Sequence, residues 1–310
     1  MIRWKTAVTA LVGVLVFAWS AHHLWTSFQW QEIAGVLKTA RFGSFTVGAV
    51  ITTLLYWVLR TWRLQVLLSV VGNESIHVRS LYMSTACSLA FALVTPFQSG
   101  EMLKVELLRR HGSLGRFDGY ASFAVERFLD LLVVLALALL GVLLDPRWGL
   151  SAGLLGVLMG SMISGAAAVL WWSRRSTVLS RRLSELQSRF ALLSAQPGRL
   201  LFAVVLTLAA WLVVALGWAW CLTCVGISLP AMQAVTLTTG MTLVNVLSFI
   251  PGAVGVSEAG IAVALSHLGY AATLAQSGAL MIRAYGLAAL VLGALHFFLW
   301  PCLPSVGKRA

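Results

Sequence analysis

The chain has 310 residues, of which 59% are hydrophobic and only 10% are charged, and its mean hydropathy is +0.89. Soluble domains carry about 25% charged residues, so this composition excludes an ordinary soluble protein and indicates a polytopic membrane protein. The net charge of +12 does not predict a nucleic-acid partner, because basic residues grouped in short loops between apolar segments follow the positive-inside rule.

Six apolar runs are long enough to cross a bilayer, which takes about 20 helical residues. In chain order they lie near residues 6–26, 45–70, 119–144, 149–172, 200–225 and 278–300. The first run is long and lacks a small-residue cleavage site before His22 and His23, so we interpret it as a retained helix rather than a signal peptide. Residues 1–310 are predicted to form a single transmembrane domain.

Two more apolar regions, 80–112 and 231–270, are each interrupted by proline and glycine and then resume. We predict that each is a re-entrant hairpin, which enters and leaves the membrane on the same side. With a cytoplasmic N-terminus, almost all Lys and Arg residues then lie on the cytoplasmic side. The exceptions are Lys38, Arg41 and Arg147 outside, and Arg127 and Arg283 at membrane depth.

The predicted fold is therefore an all-α polytopic membrane protein with about six full transmembrane helices and two re-entrant helical hairpins. We expect it in the cytoplasmic (inner) membrane, with both termini cytoplasmic. The 174–199 segment has arginines on one side of a helical period and apolar residues on another. This pattern fits an amphipathic helix on the cytoplasmic leaflet or a solvated linker, and the sequence leaves both open.

The two broken regions resemble each other. "SLAFALVTPFQSGEMLKVELLRRHG" (88–112) and "NVLSFIPGAVGVSEAGIAVALSHLG" (245–269) each carry a proline, then small residues, then a glutamate, Glu101 or Glu258. Ser88 and Asn245 precede these glutamates at the same spacing. The match extends over helix, hairpin and helix, which gives repeat 1 at 45–144 and repeat 2 at 200–300. Their hairpins open to opposite sides, which predicts an inverted-topology repeat of the kind that forms a central transport site.

Several ionisable residues fall inside the predicted membrane segments. An ionised side chain at a helix centre costs roughly 2.5 to 3.5 kcal/mol and needs a partner or water. Glu126 and Asp130 share one helix face, and Arg127 is three residues before Asp130 and able to pair with it. These residues fit either a structural ion-pair cluster, with a role in proton coupling left open, or a wet cavity.

Arg60 and Arg63 share a face near the cytoplasmic end of their helix. The simpler interpretation is that both snorkel to the membrane interface. The alternative is a vestibule that attracts anions on the cytoplasmic side.

The breaks at Pro96 and Pro251 each end one half-helix and start another, whose free N–H groups and positive dipole end point into the protein. Such a helix start can bind a phosphate or carboxylate. Glu101 and Glu258 either cap these half-helices, pair with arginines or carry protons. The small residues that allow an anion to approach closely are Ser99, Gly100, Gly255 and Ser257.

The four cysteines all lie in apolar segments. The "CLTC" sequence at 221–224 has the spacing of a redox or metal pair but no histidine or acidic partner nearby. We therefore expect packing rather than metal or redox chemistry for Cys87, Cys221, Cys224 and Cys302.

The chain contains three motifs in order, "TPFQSGEMLKVELLRR", "FAVERFLD" and "IPGAVGVSEAGI", preceded by the Arg-x-x-Arg of "LRTWRL". Together they resemble the membrane-domain family that includes the flippase portion of lysylphosphatidylglycerol synthase/flippase proteins. The resemblance covers about residues 45–300. It implies a polytopic fold that handles lipids or lipid-linked headgroups. The chain departs from the family in having Ser257 where an arginine is common, and it lacks the synthase's soluble aminoacyl-transfer domain.

By position, the family's motifs fall on residues already singled out. The P-x-x-x-GE motif covers Pro96, Gly100 and Glu101, and E-R-x-x-D covers Glu126, Arg127 and Asp130. The P-G-x-x-G-x-x-E motif covers Pro251, Gly252, Gly255 and Glu258.

We therefore expect a transporter rather than an enzyme: a lipid translocase that moves an anionic phospholipid, or a polyprenyl-phosphate-linked or related lipid, between leaflets. Phosphate would be guided by arginines and held at the half-helix starts, with the acidic residues balancing the arginines. No nucleotide-binding motif is present, and no cofactor or metal is expected. The expected substrate-binding residues are Arg60, Arg63, Ser99, Gly100, Glu101, Arg127, Asn245, Gly255, Ser257, Glu258 and Arg283.

Two alternatives from other classes remain. An intramembrane transferase acting on lipid-linked sugars would use Asp130 or a glutamate as base. A non-catalytic protein would instead assist a lipid-synthesis enzyme, for example in hopanoid synthesis. Membrane lipids are the expected partners of a translocase and of a transferase. A second copy of the chain or a lipid-synthesis enzyme is also left open as a partner.

Overall fold

The computed structural model describes residues 18–19, 22, 24–70, 76–110, 116–148, 195–248 and 250–299, without the side chains of 96–97, 116–118 and 146. All regular secondary structure in these ranges is helical. The α-helices from residue 30 onward are α1 (Trp30–Lys38), α2 (Phe42–Val70), α3 (Val78–Ala92), α4 (Leu103–Arg110), α5 (Arg116–Leu144), α6 (Pro197–Thr223), α7 (Ala231–Leu247), α8 (Val256–His267) and α9 (Ala272–Leu299). Short 3-10 helices cover Pro96–Met102, Pro146–Trp148 and Pro251–Ala253.

Four helices are long and apolar enough to cross a membrane: α2, α5 from Gly119, α6 and α9. They confirm the spans predicted at 45–70, 119–144, 200–225 and 278–300, and the chain is a multi-pass membrane protein. The runs predicted at 6–26 and 149–172 lie mostly or wholly outside the described residues, as does most of the 174–199 segment. Its last three residues belong to α6, because Pro197 is suited to the first position of a helix.

Both predicted breaks are present. In the first broken region α3 stops at Ala92 before the Pro96–Met102 3-10 helix, and in the second α7 stops at Leu247 before Pro251–Ala253. Proline ends each helix because it has no N–H and restricts the residue before it. At the first break, Gly100 and Glu101 belong to the 3-10 helix, and the α-helix begins only at Leu103.

The helices on either side of the second break are connected by a left-handed turn. Gly252 has φ +64° and Gly255 has φ +84°, values that glycine adopts without the clash that a side chain would cause. Gly255 is the N-cap of α8. The turn therefore stops α7 and restarts a helix within a few residues.

Contacts between the two predicted repeats are reciprocal. The first long helices, α2 and α6, pack against each other. The short helix α3 packs against α9, and α7, the short helix after α6, packs against α5. The 3-10 helices of the two breaks also contact each other. The two breaks thus contact each other where the two predicted repeats meet.

Small residues allow the close crossings. A Cβ added to Gly293 of α9 would lie 2.0 Å from Ala90 Cβ in α3, and one added to Gly141 of α5 would lie 1.8 Å from Thr236 Oγ1 in α7. Membrane helices approach most closely at such residues. Cys221 and Cys224 lie in the main hydrophobic core, where they pack as predicted.

We expect Gly293→Ala to lower the stability of the detergent-purified protein by about 1–3 kcal/mol, because Ala90 has no side-chain rotation that relieves the overlap. Gly286→Ala in the same helix is the matched control, since an added Cβ there meets nothing within 4 Å. Thermal denaturation of both variants beside the wild type measures the difference. Equal stability of the two variants would contradict the close α3–α9 crossing.

Candidate functional site

Seven charged side chains form one connected cluster inside the protein, which we call the ion-pair network. It draws on α2, the first break, α4 and α5. Six of the side chains are at most 4% exposed, and Arg127 is 25% exposed. The members are Arg60, Arg63, Glu101, Lys104, Glu126, Arg127 and Asp130.

Asp130 is the centre of the network. Its Oδ1 accepts a hydrogen bond from Arg63 Nη1 at 2.5 Å, and its Oδ2 accepts one each from Arg60 Nη1 and Arg127 Nη2, both at 2.5 Å. Glu101 pairs with Arg60 at 2.8 Å and with Arg127 at 2.7 Å. The predicted pairing of Arg127 with Asp130 is confirmed, and the pairing of Glu101 with arginines is the outcome observed among its predicted roles.

Helical spacing explains how these side chains meet. Arg60 and Arg63 lie on one face of α2, and Glu126 and Asp130 lie on one face of α5, three and four residues apart. Arg63 pairs with Glu126 at 3.1 Å and also donates to Thr207 Oγ1 of α6 at 3.1 Å. The network therefore links helices of both predicted repeats.

The interpretation that Arg60 and Arg63 snorkel to the interface is wrong. Arg60 is 1% exposed and Arg63 is 0% exposed. Both guanidinium groups turn inward because three carboxylates are within reach there, and such pairing compensates for the loss of water.

Lys104 is a network member that the sequence analysis counted only among the basic residues of the cytoplasmic side. It is 2% exposed, and its Nζ forms a short ion pair with Glu126 and lies 4.0 Å from Glu101. The signal in the sequence was its position three residues after Glu101, on the same helical face. A basic residue at the end of an apolar run also fits an exposed loop, so hydropathy alone did not indicate that Lys104 is buried.

The network carries four positive and three negative formal charges. One positive charge therefore has no opposite charge within the network. Arg127 is the least buried member, and it borders open space. The network is thus a positively charged wall with Arg127 at its accessible edge.

A second, smaller ion pair lies in the other repeat. Arg283 of α9 donates from Nε to Glu258 Oε1 in a short hydrogen bond, and its Nη1 donates to the Gly252 carbonyl oxygen at 2.9 Å. Glu258 Oε2 accepts the backbone N–H of Gly255 at 2.7 Å. Glu258 therefore both caps α8 and pairs with an arginine. Each broken region supplies a glutamate, and the long helix that follows supplies its arginine.

A cavity of about 410 Å³ lies between the two ion-pair systems. Both breaks and helices of both repeats contribute to its wall. The predicted site residues that line it are Glu101, Arg127, Asn245, Pro251, Ser257, Glu258 and Arg283.

Other predicted residues lie elsewhere. Arg60, Arg63, Glu126 and Asp130 are in the network behind the wall. Ser99 is exposed. Gly100 packs against the backbone of Phe91 and Ala92, and Gly255 is buried at the start of α8. The Pro96 side chain lies outside the described part of the chain.

The half-helix starts are partly occupied by the protein itself. Gly100 donates its N–H to Thr95 Oγ1 at 2.7 Å, and Gly255 donates its N–H to Glu258. These two donors are satisfied within the fold. The arginine side chains are therefore the stronger candidates for contact with an anion.

The cavity wall also holds residues that sequence reasoning missed. Five of them are aromatic: Tyr56, Trp57, Trp211, Trp218 and Tyr285. In a chain this apolar, an aromatic residue that lines a cavity has the same local sequence pattern as one that packs in the core. Only the tertiary structure separates the two groups.

The edge of the cavity is apolar and exposed. Leu93 and Val94, next to the first break, are 38% and 42% exposed, and Leu287 of α9 is 54% exposed. The cavity thus has charged and polar groups within its wall and exposed apolar side chains at its margin.

Several wall residues contain a buried polar atom without a hydrogen-bond partner. Such an atom costs roughly 1–3 kcal/mol, and a bound polar group is one way to satisfy it. Among these atoms are Arg127 Nε, Trp211 Nε1, Asn245 Oδ1 and Arg283 Nη2.

Outside the membrane spans, Glu106 at the end of the first broken region forms a separate exposed cluster. Hydrogen bonds from Arg109 and Arg110 lower the pKa of Glu106 to about 2. This cluster does not border the cavity.

The chain matches a family model. The model described as "Lysylphosphatidylglycerol synthase TM region" matches residues 6–294. This range includes the ion-pair network, both breaks and every residue of the cavity wall. No curated protein is significantly similar to the chain in sequence.

Proposed function

Because this chain belongs to the lysylphosphatidylglycerol synthase TM region family, a family with a membrane-lipid role, we propose that it is a lipid translocase. It moves a lipid with an anionic headgroup, such as a phospholipid or a polyprenyl-phosphate-linked lipid, between the leaflets of the cytoplasmic membrane. It does so without nucleotide hydrolysis, and both of its termini lie in the cytoplasm.

One observation carries the proposal: two partly exposed arginines face one cavity whose margin is apolar. Arg127 and Arg283 are each 25% exposed and line the same space. A lipid has the complementary form, because its phosphate fits between the arginines while its chains remain among side chains such as Leu287. Arginine suits this role because its planar guanidinium group binds phosphate through two hydrogen bonds.

The reciprocal helix contacts support an inverted repeat as the transport framework. In transporters of that kind the substrate site lies at the interface of the two repeats, and it opens to either side as they move. The contact between the two breaks, and the matching pairs Glu101–Arg127 and Glu258–Arg283, fit this arrangement. We propose that the two re-entrant hairpins are its gates.

We favour transport over transferase chemistry because the described acidic residues at the cavity are all engaged. Glu101 and Glu258 are 3% and 2% exposed and are held by arginines. A substrate would have to displace an arginine side chain to reach either carboxylate.

The test is leaflet-resolved lipid accessibility in proteoliposomes. Fluorescent anionic phospholipid should become accessible to a membrane-impermeant quencher beyond its outer-leaflet fraction when the wild-type protein is present. A labelled zwitterionic lipid should respond less, since the two arginines favour net negative charge. Vesicles that contain an unrelated polytopic protein are the control. If no anionic or polyprenyl-phosphate lipid moves faster than in the control, the translocase proposal is wrong.

A further inference from the structure

Besides its charged groups, the cavity wall has a neutral polar part. Trp211 of α6 and Asn245 of α7 both line it. Trp211 is 9% exposed. Its Nε1 donor and the Asn245 Oδ1 acceptor are buried and have no hydrogen-bond partner. These two atoms are not used by the ion-pair network or by the Arg283–Glu258 pair.

The two atoms require different hydrogen-bonding groups in a ligand. The indole N–H only donates, and the amide oxygen only accepts. A phosphate oxygen satisfies Trp211 alone, and an ammonium group satisfies Asn245 alone. A hydroxyl group both donates and accepts. It also suits the alternative orientation of the Asn245 amide, in which an NH₂ group faces the ligand.

The aromatic residues beside this pair favour a ring-shaped or polyol group. The Tyr56 and Trp211 rings lie 6.4 Å apart at 56°, and the Arg60 guanidinium carbon lies 5.7 Å from the Tyr56 ring centre. Aromatic faces pack well against the C–H groups of a sugar or cyclitol, whose hydroxyls remain free for hydrogen bonds. Tyr56 thus connects the positively charged wall to Trp211.

The described residues of the wall offer no unpaired carboxylate to a cationic headgroup. The two wall carboxylates, Glu101 and Glu258, are buried and already paired with arginines. An ammonium group would have to displace an arginine to reach either one. The free hydrogen-bonding capacity of the wall is therefore suited to hydroxyl groups.

From these groups we propose that Trp211 and Asn245 form a polyol subsite in the cavity wall that also contains Arg127 and Arg283. The headgroup is then a phosphodiester that carries a sugar, inositol or a similar polyol. This inference rests on the proposed function for its assignment of the phosphate to a lipid, and on the two unpartnered atoms for the polyol.

The experiment compares two lipids of equal charge. Phosphatidylinositol carries a ring of hydroxyls, whereas phosphatidylethanol has the same anionic phosphodiester without any hydroxyl. Binding of each lipid to the detergent-purified protein is measured by native mass spectrometry for the wild type, Trp211→Phe and Asn245→Leu. Trp220→Phe in the same helix is the control, because its Nε1 donates to the Ser44 carbonyl at 3.0 Å and its side chain is 44% exposed.

We expect the wild type and Trp220→Phe to bind phosphatidylinositol more than tenfold more tightly than phosphatidylethanol. Trp211→Phe and Asn245→Leu should each weaken phosphatidylinositol about fivefold, the effect of one hydrogen bond. They should leave phosphatidylethanol unchanged, and that unchanged affinity also shows that the variants are folded. Equal affinity of the wild type for the two lipids, or an equal loss for both lipids in the variants, overturns the subsite.

Failure of the polyol subsite can be distinguished from failure of the proposed lipid translocation. If both lipids cross the membrane at the same rate and bind equally, the subsite is wrong and translocation stands. Soluble inositol 1-phosphate should compete only weakly with phosphatidylinositol. If it binds as tightly as the lipid, the subsite stands, but its ligand is a soluble polyol phosphate and the lipid translocase proposal fails.

Discussion

Replacing Asp130 with alanine should prevent most of the protein from folding. Asp130 is 3% exposed and accepts hydrogen bonds from Arg60, Arg63 and Arg127, each at 2.5 Å. Without it, two carboxylates remain for four buried or partly buried cations. Removal of one member of a buried ion-pair cluster costs about 3–5 kcal/mol because it leaves charge uncompensated. That is a large part of the 5–15 kcal/mol by which proteins are typically stable.

The measurement is the yield of monodisperse protein after detergent extraction, together with its thermal denaturation. Glu106→Gln is the control: its carboxylate also pairs with two arginines, at 2.6 and 3.1 Å, but it is 26% exposed. Solvent-exposed pairs contribute at most about 1 kcal/mol, so this variant should behave as the wild type.

A double variant separates charge balance from any other role of Asp130. Asp130→Asn combined with Arg63→Gln again leaves one more cation than anion in the ion-pair network. It should therefore be more stable than Asp130→Asn alone, because residues within one network are energetically coupled. If Asp130→Ala denatures at the wild-type temperature, the network is not the structural centre of the fold.

The long helices and the breaks could be predicted because their signals are local. A run of about 20 apolar residues has few structural alternatives in a membrane protein. The breaks at Pro96 and Pro251 follow from the missing N–H of proline. Helix ends were less predictable, as the late start of α4 at Leu103 illustrates. There the hydrogen bond from Gly100 N–H to Thr95 Oγ1 accompanies a 3-10 turn, which composition does not specify.

The ion partners were only partly predictable. Arg127 and Asp130 are neighbours on one helix, so their pairing follows from spacing alone. Arg60 and Lys104 pair with residues far along the chain, and an arginine near a helix end has the same sequence pattern whether it turns inward or outward. The decision depends on the carboxylates that tertiary packing brings near, in this case Glu101 and Glu126.

Arg127→Gln should fold normally and yet move anionic lipid at least tenfold more slowly. Arg127 is the accessible cation of a network with one positive charge in excess, so its removal leaves three cations opposite three carboxylates. Glu101 keeps Arg60 as a partner, and Asp130 keeps Arg60 and Arg63. The lost interaction is the one with the phosphate, and a hydrogen bond to a charged group contributes about 1.5–3 kcal/mol, equivalent to roughly a 10- to 150-fold effect.

To compare Arg283 with Arg127, a double variant is required. Arg283→Gln alone leaves Glu258 buried with only the Gly255 N–H as a partner, which would disturb the second break for structural reasons. Combining it with Glu258→Gln removes both charges and keeps the pair neutral. We expect this double variant to fold and to lose anionic lipid movement, as Arg127→Gln does.

Lipid charge distinguishes a translocation site from a structural role of these arginines. If Arg127 and Arg283 bind the headgroup phosphate, both variants should slow anionic lipid in proteoliposomes while any slow movement of a zwitterionic lipid stays at the wild-type rate. A general loss of structure would reduce both rates together. Unchanged movement of anionic lipid in both folded variants would show that the cavity between the two breaks is not the pathway, because no other described arginine lines it.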